Sequence, residues 1–336
     1  MTARAEYQRV IEDALWQAIN SIAAEQLVHG EIPNYRRLPE GRWEYCFSPL
    51  VSAYVYSALG CFDPSSAAFD LQSLESCGAK RMQLLGRMAY KIRRGIYRFL
   101  CWQQSMKGTW GFFGQGSALP PDLDTTSCAA VIFLDRRSFE RSCGFSQTLP
   151  ALSNFPLRDG TFDSPDSRGS GFGEWLDLRL VANANLLRCF ALAGVDYGAL
   201  AHAVRQDFLS STSQGGMRLA HLYALGRAYR QGQITSLEEI AGQVLEQTSN
   251  GGADALEFQG PLSTALSISA RLDFGSPQTV READIDSIVR CIMTPHRSRL
   301  EVFCDQRCGS AALTTAIAMS ALSRAAALAD GDNRDA

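Results

Sequence analysis

Apolar residues recur along the chain at helical spacing, and two kinds of helix alternate. Tyr7, Val10, Ile11, Ala14, Leu15, Ala18, Ile19 and Ile22 mark one face of an amphipathic first helix that ends at His29-Gly30. A turn-rich loop, Glu31-Ile32-Pro33-Asn34-Tyr35, then runs on to Trp43 and Tyr45. The next helix, about Ser48 to Leu59, has almost no polar face: Leu50, Val51, Ala53, Tyr54, Val55, Tyr56, Ala58 and Leu59 leave it nowhere to meet water. Such a helix must be buried on most sides.

The alternation repeats. A second pair runs from about Lys80 to Gln104, loops through Gly108 to Pro121, and enters a helix at Asp124. In the third the outer helix is poorly marked, interrupted by Cys143-Gly144 and Pro150. Its loop, Asp159 to Trp175, still leads into the apolar run Leu180 to Leu192. The fourth pairs Leu200–Leu209 with Met217–Ala228. The fifth opens at Thr235 or Ser236, each with a Glu three residues on in capping-box spacing, and continues past Gly251-Gly252 to Leu262–Leu272. The sixth joins Ile285, Ile288, Val289 and Ile292 to the Ala-rich helix Leu313–Leu328.

Six such pairs suggest an all-α fold, an (α/α)6 toroid over residues 1–328, with 329–336 as a disordered tail. Outer helices bury one face against an inner ring, and inner helices are covered on both flanks and behind. Ala316, Ala318, Ala321 and Ala325 to Ala327 allow close approach. The rival is an open α-solenoid, whose repeats would be more uniform and whose loops need carry no aromatics.

Composition adds exclusions. The 336 residues are 46% hydrophobic and 20% charged with a net charge of −3, so there is ample core material and no basic field for nucleic acid. No run has the length of a membrane span or the form of a signal peptide, so the expected location is cytoplasmic. Ten cysteines invite a disulfide reading, but Cys101, Cys128, Cys189 and Cys291 lie inside helical apolar patterns, where free Cys acts as a small hydrophobe. Cys304 and Cys308 are close but lack partners for a zinc set, and the four histidines are scattered, so no metal site is expected. Arg87, Lys91, Arg94 and Arg98 form a basic stripe on the second outer helix, read as a solvated face or as a docking surface for an acidic partner or membrane headgroups.

The candidate chemistry is Pro120-Pro121-Asp122-Leu123-Asp124-Thr125-Thr126. The prolines keep the entry extended, and the Asp and Thr side chains suit the first turn of the apolar helix that follows. Two carboxylates are thereby displayed at one helix N-terminus. They are either helix caps or a site.

Gln104-Ser105-Met106-Lys107-Gly108-Thr109-Trp110 is a full Gln-x-x-x-Gly-x-Trp match, the repeat signature of the squalene-hopene and oxidosqualene cyclases. The segment Asp122-Leu123-Asp124-Thr125-Thr126 resembles the acid motif of class II terpene cyclases, in an Asp-x-Asp-Thr-Thr variant. Asp177 to Asn185 and Gly309 to Ala316 are similar to inner-helix entries of short bacterial relatives of that group. The resemblance implies an (α/α) toroid and a terpene cyclase of isoprenoid or secondary metabolism, an isomerase or lyase started by protonation. Asp124 would be the general acid, protonating an alkene or epoxide, with Asp122 orienting it and Thr125 and Thr126 completing the motif. Thr125 stands where many members carry a further Asp, and the full-length members have two such barrels where this chain has room for one.

An alkene is a very weak base, so the acid must stay protonated in a dry site. Burial and a neighbouring carboxylate both raise a carboxyl pKa, whereas a helix N-terminus favours the anion. The resulting cation needs π-faces. The candidate walls are Trp43, Tyr45, Trp110, Phe112, Phe113, Trp175 and Phe303, although Trp110 also fits a purely structural role in its signature. Asn183 and Asn185 either donate to Asp124 or cap their helix. No cofactor is expected, with Mg2+ only if the substrate carries a diphosphate. The expected partner is a small isoprenoid, with no nucleic acid, with peripheral membrane contact as an option, and with any partner protein or homo-oligomer undetermined. The alternatives are a toroid that serves as a binding or scaffold protein and, less favoured for want of an Asp/Cys/His zinc set, a protein prenyltransferase β-subunit relative.

Overall fold

Helices that lack a polar face must be covered on most sides, and here six inner helices achieve this by packing in a ring. The computed structural model describes residues 3–38, 40–62, 79–115, 117, 120–135, 145–155, 157–158, 161–162, 178–211, 215–249, 260–275, 280–294 and 308–331. The inner ring is α2 (Pro49–Ala58), α4 (Leu123–Asp135), α6 (Leu178–Ala193), α8 (Gly215–Gly232), α10 (Pro261–Asp273) and α12 (Ala311–Gly331). Each packs on the next, and α12 packs back on α2, so the ring is closed. The open solenoid is thereby excluded. Outside lie α1 (Ala3–Glu25), α3 (Ala79–Gln103), α5 (Phe145–Ser153), α7 (Gly198–Ser210), α9 (Glu238–Ser249) and α11 (Glu282–Met293). Two apolar clusters fill the space between the layers, one around the first, second and last pairs and one around the middle pairs.

Polar side chains stitch the layers together. Arg93 of α3 is buried, donates from Nε to the carbonyl of Tyr56 at 3.1 Å, and stands 4.0 Å over the Tyr56 ring. Arg271 of α10 reaches Asp284 of α11 at 3.2 Å, and Arg179 of α6 reaches Asp207 of α7 at 3.2 Å. By contrast Arg87, Lys91, Arg94 and Arg98 all face outward.

Several local details depart from the pattern expected of the sequence. The loop before α2 contains β1 (Asn34–Arg37) and β2 (Trp43–Cys46), an antiparallel pair with Tyr35 opposite Tyr45. β5 (Cys308–Gly309), just before α12, pairs with β1 through Tyr35 and Gly309. First and last repeats are thus joined by a small sheet as well as by helix packing. These strands are too short to show a period of two. Gly30 supports the same corner with φ +98°, and a Cβ there would lie 2.1 Å from the Gly95 carbonyl oxygen of α3. No side chain fits that approach.

α5 runs through Pro150, because a nine-residue helix loses only one backbone bond to it. The expected capping box at Thr235 and Ser236 is instead a 3-10 turn, Thr235–Leu237, and α9 begins at Glu238. α12 continues to Gly331, into the expected tail. Cys46, Cys61, Cys101, Cys128, Cys189 and Cys291 are free thiols. No described helix is long and apolar enough to cross a membrane.

Candidate active site

The Asp122–Thr126 segment sits where α3 hands over to α4, and hydrogen bonds explain why the two sequence signatures lie close together. Gly108 closes the turn at φ +78° with its amide on the Ser105 carbonyl at 3.0 Å. Thr148 of α5 donates to the Gly108 carbonyl at 2.8 Å and accepts from Gln104 Nε2 at 3.4 Å. The chain then turns inward to Trp110, which is fully buried, its indole N–H donating to the Leu100 carbonyl at 2.7 Å. Trp110 is therefore a structural wedge between α3 and the inner ring. Its backbone is clipped to α4: its amide donates to Thr126 Oγ1 at 3.1 Å, and its carbonyl accepts from Thr126 Oγ1 at 3.0 Å and from the Asp122 amide at 3.1 Å. Thr126 thus holds the loop, and through it the carboxylate pair.

Asp122 is the helix cap. Its Oδ1 accepts from the Thr125 amide at 2.7 Å, satisfying a first-turn donor. Its Oδ2 is buried without a hydrogen-bond partner. Burial pushes its pKa up to about 7, against the pull of the Thr125 amide and with the Asp124 charge adding to the rise. Thr125 is fully buried beside it.

Asp124, one residue into α4, is held differently. Its Oδ1 accepts from Asn185 Nδ2 of α6 at 2.8 Å and from the Cys128 thiol one turn along α4 at 3.7 Å. No hydrogen bond engages Oδ2 among the described residues. A carboxylic acid carries its proton on the oxygen that does not accept, so this arrangement leaves Oδ2 as the proton-bearing atom. Burial raises the Asp124 pKa to about 6, with the Asn185 amide, the Cys128 thiol and the Arg227 charge each opposing it. Burial therefore outweighs the preference of the helix N-terminus for an anion.

The two asparagines part company. Asn185 donates both amide hydrogens inward, one to Asp124 and one to the Tyr54 hydroxyl of α2 at 2.8 Å. Asn183 turns away and clips a hairpin, β3 (Leu157–Arg158) with β4 (Thr161–Phe162), onto α6. It accepts from the Phe162 amide at 2.8 Å and donates to the Phe162 carbonyl at 2.9 Å.

Tyr54 and Tyr223 are stacked with centroids 6.4 Å apart, and the Arg227 guanidinium lies over both rings. Asp124, Asn185, Tyr54, Tyr223 and Arg227 thus meet in the ring from α4, α6, α2 and α8. Tyr54, Tyr223 and Arg227 belong to no sequence motif, yet the sequence carries a signal for Arg227. An arginine inside a helix that is buried all round must point to the centre or to a partner, and Arg188, Arg227 and Arg324 all do so from inner helices. At the far end of the ring Asp273 of α10 pairs with Arg324 at 2.7 Å and Arg230 at 3.7 Å.

Of the remaining wall candidates, Phe112 stands beside the motif, its backbone acting on Asp122. Trp43 and Tyr45 lie on β2, where the Tyr45 hydroxyl donates to Glu31 at 2.8 Å. Phe112 and Phe113 pack edge to face at 4.9 Å in the loop before α4. Trp175, Phe303 and Asp177 lie outside the described residues, as do Cys304 and His296. Among the described residues no group of three or more His, Cys, Asp and Glu side chains is placed to hold a metal ion.

No protein-family model and no curated protein matches this chain. Solved structures do. A protein from Actinoplanes superposes with a TM-score of 0.62 at 15% identity, covering 94% of this chain and 99% of that one. A variant of the type II terpene cyclase MstE from Scytonema, in complex with its product merosterolic acid A, superposes with a TM-score of 0.57 at 13% identity, covering 95% and 98%. A second MstE variant, with its substrate geranylgeranyl dihydroxybenzoate, gives 0.56 at 13% identity over 95% and 98%. At these identities the likeness is one of fold: the chain has the all-α toroid architecture of these structures.

Proposed function

We propose that the chain is a class II terpene-cyclase-like enzyme that starts the cyclisation or isomerisation of an isoprenoid, or of an isoprenoid-bearing molecule, by protonation from Asp124. The observation that carries this reading is the Asp124 carboxyl: raised to about 6 by burial, accepting at Oδ1 from Asn185 and Cys128, and leaving Oδ2 for the proton. A carboxyl pKa raised toward the working pH is what a general acid requires.

In this reading Oδ2 delivers its proton to the terminal double bond, and the electron pair of that bond forms the new C–H bond. The cation left on the adjacent carbon is trapped by an internal double bond as a ring closes. Loss of a proton from carbon then ends the sequence. Asn185 stabilises the conjugate base of Asp124 through its N–H···O bond, which strengthens as charge develops. Asp122 caps α4 and so fixes where Asp124 points. Protonation needs no cofactor, and Mg2+ enters only as a counter-ion if the substrate carries a diphosphate. The fold likeness to a cyclase that takes geranylgeranyl dihydroxybenzoate supports an isoprenoid-bearing substrate as the class to try first.

The test is to incubate the purified protein with geranyl, farnesyl and geranylgeranyl diphosphates, the corresponding alcohols and a prenylated dihydroxybenzoate, and to look for cyclic products. Loss of product in Asp124→Asn is expected. Product that persists in that variant removes the acid assignment, and no product from any isoprenoid leaves the toroid as a binding or scaffold protein.

A further inference from the structure

Among the described residues, buried cations come with hydrogen-bond or ion-pair partners, and Arg227 is the exception. Arg93 has the Tyr56 carbonyl and ring, Arg271 has Asp284, and Arg324 has Asp273. Arg227, in the fourth turn of α8, is only 5% exposed, and its Nη1 is buried with no hydrogen-bond partner. It makes no ion pair among the described residues. Its guanidinium carbon stands 5.4 Å from the Tyr54 centroid and 5.2 Å from that of Tyr223. Two π-faces offset part of the cost of burying a charge, but a buried guanidinium without an anion remains expensive.

Two carboxylates share its field: Asp273, which with Tyr223, Tyr54 and Cys128 raises the Arg227 pKa against the effect of burial, and Asp124, whose own pKa the Arg227 charge lowers. Asp273 already has two arginines. Asp124 has none, and it is tied to the same place by a continuous chain: Arg227 rests on the Tyr54 ring, the Tyr54 hydroxyl accepts from Asn185, and Asn185 donates to Asp124. We propose that Arg227 is the standing counter-charge of Asp124, stored on the Tyr54–Tyr223 stack while the acid is neutral and compensated when the acid gives up its proton. The assignment rests on the acid role of Asp124 and deepens it. It explains how an acid raised by burial is still strong enough for a weak base, because the product carboxylate meets a fixed positive charge in a low-dielectric site. Arg227 is a positioning residue in this scheme.

Other groups surround the acid. Cys128 lies on α4 and Asp122 just before it, Tyr54 on α2, Asn185 and Arg188 on α6, and Tyr223 beside Arg227 on α8. Arg188 acts on Cys128. Among these, Arg227 is the cation whose charge bears on Asp124.

The experiment is a carboxyl 13C NMR titration of the whole protein carrying 13C-labelled aspartate, with the Asp124 signal assigned by its loss in Asp124→Asn. Neutralising Arg227 in Arg227→Met is expected to raise the Asp124 midpoint by about one pH unit, with Arg227→Lys much closer to wild type. An Asp124 midpoint unchanged in Arg227→Met overturns the proposal. A reciprocal readout needs no Arg227 variant: the Arg227 Nε–H resonance should titrate with the Asp124 midpoint in the wild type and stay flat in Asp124→Asn. A resonance that ignores pH in the wild type, or one that titrates equally in both proteins, overturns it as well. These readouts do not depend on turnover. Coupling without cyclisation removes the enzyme reading alone, and Asp124-dependent cyclisation without coupling removes the Arg227 assignment alone.

Discussion

The side-chain amide of Asn185 donates to Asp124 Oδ1 across 2.8 Å, although the two residues stand 61 positions apart. That bond joins the second and third inner helices at the point where the proposed chemistry begins. It also selects which carboxyl oxygen keeps the proton. Replacing Asn185 with Leu leaves Oδ1 with only a thiol donor and removes the amide that donates to the Tyr54 hydroxyl. We expect a stability loss of about 1–3 kcal/mol and a roughly 100-fold fall in kcat, read by thermal denaturation and by product formation under saturating substrate. Unchanged turnover in a folded Asn185→Leu protein removes the orienting role.

Asp122 yields a prediction of opposite sign. Its pKa is raised from 3.8 to about 7, so the folded state favours the neutral form. Stability from this group is fully present below the unfolded-state value and is lost as pH rises through about 7. Asp122→Asn keeps a capping side chain and has no charge to bury. It should therefore be more stable than wild type at pH 8 by roughly 2–4 kcal/mol, a margin that vanishes near pH 4. Denaturation curves at the two pH values decide it.

Activity should show the same direction at the neighbouring group. Turnover needs protonated Asp124, whose pKa lies at about 6. Rate should therefore be highest on the acid side and fall about tenfold for each pH unit above that midpoint. A rate that climbs from pH 6 to pH 8 contradicts an Asp124 acid.

Thr126 separates architecture from chemistry. Its hydroxyl holds both the amide and the carbonyl of Trp110. Thr126→Val keeps the shape and leaves those buried backbone groups short of a partner, which should cost about 2 kcal/mol of stability. Turnover per folded molecule should change by less than about tenfold, since Asp124 keeps its own partners.

Gly30 tests the corner that supports ring closure. Its φ of +98° and the Gly95 carbonyl at 2.1 Å from a built Cβ leave no room for alanine. Gly30→Ala should cost about 3 kcal/mol or more, seen as a lower Tm and faster hydrogen exchange at Tyr35 and Gly309.

Much of this architecture is legible in the order of residues. The alternation of one-faced and all-round apolar helices requires a double layer, because burial alone decides it and burial is written position by position. The position of Asp122 and Asp124 at the start of a buried helix was legible for a similar reason, whereas the choice of Asp124 over a second helix cap came from the resemblance of its motif. The tertiary structure decided what these groups meet. Asn183 and Asn185 lie two residues apart on one helix, which separates their directions by about 200°, so one faces the ring and the other the β3–β4 hairpin. The spacing itself says nothing of which does which. Tyr54, 131 positions from its partner Asn185, and Arg227 on a fourth helix enter the site only when the ring closes. Hydrogen bonds and charges act over a few ångströms of space, and sequence distance carries no record of that proximity.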